Sequence, residues 1–215
     1  MANYTAERIK EAIWNEVVFD NKANITNIAN ASMGNQGIVG NLYDYLEDHT
    51  PDYVYLQFSG LTRYDMPVDS KFTAGNVRKG YKRSWFCTGG RRGSWLRDVK
   101  SKHTFLPLYF TENYTSHIER QSLQSVSSAI NLLERKGIKY NWTFYYNVLK
   151  PANITVLEND GKIQKWPDYI DRSKMIDTDP HTFCNTTEWM KADGVHFTNE
   201  GYKEWLLSIK EQLTI

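Results

Sequence analysis

Asp193 and His196 stand three residues apart, just ahead of a C-terminal amphipathic segment, and this pair is the strongest chemical signal in the chain. On a turn, a carboxylate at that spacing reaches a ring N–H of the imidazole and fixes its tautomer. The other ring nitrogen is then free to act as a general base, which is the orienting half of a serine-hydrolase triad. Upstream, Ser32, Gly34 and Asn35 fall where an extended run turns into a helix, and Ser59, Thr62 and Arg63 follow a second apolar run. Ser32 reads either as a nucleophile or as a small residue permitting a tight turn. Arg63 reads either as a grip for a substrate carboxylate or phosphate, or as a structural arginine beside Asp65. Asp177, Asp179, His181 and Cys184 mix hard and soft ligands at spacings that match no usual zinc pattern, so neither a metal nor another cofactor is expected.

The elements that must position these groups are legible as hydrophobic periodicity. Ile9, Ile13 and Val17, with Trp14 alongside, predict a first helix, and Asn24 to Ala31 then reads as a short buried strand. Gly34 and Gly37 punctuate a turn. Ile38, Leu42, Tyr45 and Leu46 predict a second helix that stops before Pro51. Val54, Leu56 and Phe58 alternate along a strand from Tyr53 to Phe58. Leu123, Val126, Ile130 and Leu133 mark a longer helix closed by Gly137, and Trp142, Phe144, Tyr146 and Val148 read as the next strand. A last helix starts at Thr198 or Asn199 and presents Tyr202, Leu206, Ile209 and Leu213 on one side. Helix and strand alternate, the pattern of an α/β fold with a parallel sheet and helices on both faces.

Two stretches break the alternation. Residues 61–102 are basic and aromatic, with Arg78, Lys79, Lys82, Arg83, Arg91, Arg92, Arg97, Lys100 and Lys102 among Tyr81, Trp85, Phe86 and Trp95. They read as an insertion: a lid over a sugar or polyanionic substrate, a nucleic-acid contact of modest size, or a solvated loop anchored by Trp85 and Trp95. Pro151 to Ala192 carries Pro167, Pro180 and clustered Asp, and leads into the candidate pair.

Asp193-x-x-His196-x-Thr198-x-x-Gly201, opening a C-terminal helix, resembles the last block of the SGNH, or GDSL, esterase and lipase family. Asn30-Ala31-Ser32-Met33-Gly34-Asn35 is similar to the family's second block, and Pro51 to Phe58 to the strand leading to its third. The resemblance implies a single flavodoxin-like three-layer domain over residues 1–215. It also implies Asp193 and His196 as triad acid and base, and the Gly34 N–H as an oxyanion donor. The third block normally reads Gly-x-Asn-Asp, whereas Ser59-Gly60-Leu61-Thr62 stands here, which leaves Thr62 or Arg63 to replace the asparagine donor. The opening Gly-Asp-Ser block has no counterpart ahead of Ile9, and Ser32 is the one serine within a matched block that could supply the nucleophile. Two functions follow as expectations: a serine-type hydrolase of acyl esters, with small acyl groups on carbohydrate as substrates, or a non-catalytic relative kept as a binding or virion-structural module.

Lys plus Arg is 26 against 25 Asp plus Glu, so the chain has no field strong enough to attract nucleic acid or an anionic membrane. No window approaches the ~20 apolar residues of a membrane span, and no signal segment is visible, so a cytoplasmic or virion-associated protein is expected. Cys87 and Cys184, far apart in sequence, read as free thiols.

Overall fold

The computed structural model describes residues 2–29, 33–61, 63, 65–68, 77–87, 112–146, 148, 163, 165–186, 189, 191 and 197–215, with backbone alone at 2–9, 66, 68, 77–79, 86–87 and 112–117. It is a mixed α/β structure with five α-helices among the described residues. Helix α1 (Ala2–Phe19) ends where Asp20 and Asn21 take positive φ values of 51° and 63°, a conformation short polar side chains tolerate. Helix α2 (Asn35–Asp48) leads to strand β1 (Tyr53–Phe58). Strands β2 (Asp65–Val68), β3 (Val77–Lys79) and β4 (Ser84–Cys87) follow. Helix α3 (Glu112–Lys136), strand β5 (Lys139–Phe144), helix α4 (Pro180–Thr186) and helix α5 (Asn199–Ile209) complete the order.

β1 and β5 pair in parallel, Tyr53 opposite Lys139 through Phe58 opposite Phe144. The strand period of two sorts their side chains between two cores. Leu56, Phe58, Tyr140, Trp142 and Phe144 face a cluster completed by Val39, Leu42 and Leu46 of α2 and by Val126, Ile130 and Leu133 of α3. Tyr55 faces the other way, toward Val17 and Val18 of α1 and Tyr202, Trp205 and Leu206 of α5. Helices therefore cover both faces of the pair. β5 is buried on both sides, and its polar members are satisfied: Thr143 Oγ1 donates to the Ile176 carbonyl at 2.8 Å, and Asn141 Oδ1 accepts from Thr214 N at 2.7 Å. Met175 forms a parallel bridge to Trp142, so an extended segment flanks β5 on the side away from β1.

The α3 to β5 connection is set by one glycine. Gly137 has φ +65°; its N–H bonds the Glu134 carbonyl at 3.0 Å and that of Ile138 bonds Leu133 at 3.1 Å. This double capping ends the helix and starts the strand two residues later.

Four expectations need correction. Residues 24–29, read as part of a buried strand, carry no strand pairing; side chains take up their backbone groups instead, Glu11 Oε1 accepting from Asn27 N at 3.0 Å and Asn41 Nδ2 donating to the Ile28 carbonyl at 3.3 Å. Gly37 is not a turn residue but lies in the first turn of α2, where a Cβ would approach Asp65 Oδ2 to 2.6 Å. β5 begins at Lys139 and stops at Phe144 rather than running to Val148, because its last link to β1 is Tyr145 N to the Phe58 carbonyl at 2.7 Å. The 61–102 stretch, read as a long loop, contains an antiparallel sheet of order β2-β4-β3. Its Trp85 is buried on α2, and a Cβ at Gly40 would fall 2.1 Å from the Trp85 ring, so the glycine is what lets the two layers meet.

Candidate functional site

Parallel strands gather loop-borne groups at their carboxyl ends, and there Gly34, Asn35, Ser59 and Arg63 meet, with Phe197 lying on Tyr145 just past β5. Gly34 precedes α2 in an extended conformation and has no side chain with which to cap it. The cap comes from Asp65, at the start of β2: its Oδ2 accepts from Gly34 N at 2.6 Å and Gly37 N at 3.1 Å. A carboxylate there meets both the unpaired amide groups and the positive end of the helix dipole. The backbone N–H that the family resemblance assigns to an oxyanion thus already holds an anion.

Asn35 and Ser59 are committed to each other. The Asn35 amide is fully buried; it donates to Ser122 Oγ at 2.8 Å and the Ser59 carbonyl at 3.3 Å, and accepts from Ser59 N at 2.8 Å and Ser59 Oγ at 3.2 Å. This network ties the start of α2 to the end of β1 and the side of α3. Arg63 is half-buried against Gly34: a Cβ built on that glycine would lie 3.0 Å from Arg63 Cβ. Burial pushes the Tyr146 hydroxyl's pKa up, and the nearby Arg63 guanidinium partly offsets the rise. A Cβ at Gly60 would collide with the same hydroxyl at 1.7 Å, so Gly60 is the opening through which Tyr146 reaches the end of β1.

Asp193, His196, Ser32 and Thr62 lie outside the described residues; their neighbours do not. Phe197 stacks on Tyr145 with ring centroids 5.6 Å apart and on Tyr202 at 5.5 Å. Thr198 N donates to the Trp189 carbonyl at 2.8 Å, and Thr198 Oγ1 caps α5 by accepting from Gly201 N at 3.0 Å. The consecutive residues Tyr145 and Tyr146, just past β5, therefore bridge two groups: one ring lies on Phe197, and the other hydroxyl lies at Gly60 and Arg63. Sequence reasoning missed Asp65, Tyr145 and Tyr146 as site residues. The only available signals were the Tyr-Tyr pair at the end of a strand and the Asp two positions after Arg63.

Two of the basic residues in the 61–102 stretch are neutralised on α2. Arg83 pairs with the fully buried Asp44, and Lys82 bonds Glu47 at 2.7 Å and Asp48 at 2.9 Å. Cys184 is a free, buried thiol, and Asp179 Oδ1 accepts from Thr182 N at 2.8 Å to cap α4. Among the described residues no three His, Cys, Asp or Glu side chains gather in a metal-ligating group, and no helix is long and apolar enough to cross a membrane.

Among the described residues these elements define a mixed α/β protein with a two-stranded parallel sheet between helices and a small antiparallel sheet on α2. Comparison with known proteins adds no narrower assignment: no family model, curated protein or solved structure matches the chain.

Proposed function

We propose that this chain is a divergent SGNH-type serine hydrolase of acyl esters, with a flavodoxin-like three-layer architecture and small acyl groups on carbohydrate as its substrate class. The observation that carries the reading is the convergence at one sheet end: Phe197, next to His196, packs on Tyr145, while Gly34, next to Met33 and Ser32, packs on Arg63 after β1. In this reading the Ser32 hydroxyl attacks the acyl carbonyl as its proton passes to His196, whose imidazolium Asp193 stabilises. The ester C–O bond then breaks and the alcohol leaves with the proton from His196. Water, deprotonated by His196, attacks the acyl-serine, and collapse of that intermediate releases the acid and restores Ser32. Gly34 N–H serves the oxyanion only when Asp65 gives it up, and Arg63 is the nearby cation that offsets the gathered negative charge.

The bond between Asp65 and Gly34 favours a second reading, a scaffold of the same kind kept for binding, with a carboxylate fixed where an oxyanion would sit. Labelling with a fluorophosphonate probe, followed by peptide mass spectrometry, separates the two. The hydrolase reading expects a stoichiometric adduct on Ser32 that is lost in His196→Ala. An unlabelled protein overturns it, and an adduct on another serine overturns the assignment of Ser32.

A further inference from the structure

The cleft between α2 and α3, closed on one side by β2 and β4, has a volume of about 650 Å³, within the range of small-molecule sites. We propose that it binds a neutral saccharide, a function separate from ester hydrolysis and independent of whether the candidate triad works.

Unsatisfied amides carry the argument. Gln36 lines the cleft from the first turn of α2, and both Oε1 and Nε2 of its carboxamide are buried with no hydrogen-bond partner; Oε1 of Gln121, across the cleft on α3, is in the same state. A buried polar group without a partner costs about 1–3 kcal/mol, and groups of this kind call for a ligand or water that completes them. Turned toward the cleft, the Gln36 carboxamide would present both a donor and an acceptor, and a sugar hydroxyl is both in return.

Electrostatics decides the class of ligand. The charged side chains around the cleft are already engaged: Asp44 with Arg83, Glu47 with Lys82, and Asp65 with two backbone N–H groups. What remains is hydroxyl and amide, with Ser125 and Ser128 on α3 and Tyr43 on α2. Tyr43 is 38% exposed, and its hydroxyl shares a 2.8 Å bond with Ser128 Oγ, which holds the ring at the rim as a face for a pyranose to stack on. Among the described lining residues the one cation is Arg83, whose charge the buried Asp44 already neutralises, so an anionic ligand gains little here over a neutral one.

Saturation-transfer NMR on the full chain tests this with the methyl glycosides of glucose, galactose, mannose and N-acetylglucosamine. At least one should receive saturation, and the signal should fall fivefold or more in Gln36→Leu and in Gln121→Leu. Each substitution replaces a side chain bearing at least one buried polar atom without a partner by an apolar group of similar size, so both variants should melt at or above the parent temperature. No transfer to any glycoside, or transfer unchanged in both folded variants, overturns the proposal. Transfer to N-acetyl-trialanine amide with none to the glycosides also overturns it and assigns the cleft to peptide.

Discussion

Asp65 Oδ2 lies 2.6 Å from the backbone nitrogen of Gly34, across a gap of 31 residues in the chain. One carboxylate thereby caps α2, fixes the start of β2 beside the end of β1, and occupies the N–H that an ester hydrolase would direct at its oxyanion. Asp65→Asn keeps the shape and removes the charge, so urea unfolding should show a loss of about 1–3 kcal/mol. In the hydrolase reading the same change weakens the hold on Gly34 N–H, and the rate on p-nitrophenyl acetate should rise. In the binding reading the rate stays at the buffer level.

The approach of β4 to α2 depends on glycine. Gly40→Ala places a Cβ 2.1 Å from the Trp85 ring and should cost about 1–3 kcal/mol by overpacking, with part of the loss recovered in a double variant carrying Trp85→Phe. Gly137→Ala meets nothing within 4 Å, yet its φ of +65° should still cost about 1–2 kcal/mol. Thermal melts of the three variants check both figures and separate collision from backbone strain.

Thr198 holds the first turn of α5 two residues after His196. Thr198→Ala removes the acceptor for Gly201 N–H and should destabilise the protein by about 0.5–2 kcal/mol in denaturant titration, while Thr198→Ser, which keeps an oxygen, should recover most of it.

Burial pushes the Cys184 thiol up to about 11, with the Asp179 carboxylate adding to the shift. Site-resolved alkylation with iodoacetamide at pH 8 should therefore leave Cys184 unmodified in the folded protein and modify it fully in urea. The sign for stability follows from linkage. Above pH 9 the unfolded thiol loses its proton while the folded one keeps it, so stability falls as pH rises from about 9 to 11. Replacing Cys184 with Ala should flatten that part of the pH profile.

The sequence was most legible where one period ran long enough to be unambiguous. Leu123, Val126, Ile130 and Leu133 with Gly137 marked the core of α3 and its end, and Val54, Leu56 and Phe58 marked β1, because local burial alone sets those patterns. The small antiparallel sheet escaped because its strands span three or four residues, one of them interrupted by Pro67. Residues 24–29 look like a strand but make no ladder, since Glu11 and Asn41 take their backbone groups; such distant partners leave no local trace. The same holds at the candidate site. Gly34 was legible as a turn glycine next to a helix start, whereas the carboxylate that fills its N–H comes from another element. Asp193 and His196 were legible only as a motif.

Hydrolysis of p-nitrophenyl acetate by the purified protein and by His196→Ala, with melting temperatures measured alongside, addresses the ester-hydrolase reading most directly. Turnover well above buffer is expected from the parent, with a fall of about 10³-fold or more in the variant at an unchanged melting temperature. A parent rate no higher than buffer, or equal rates from both proteins, would contradict it.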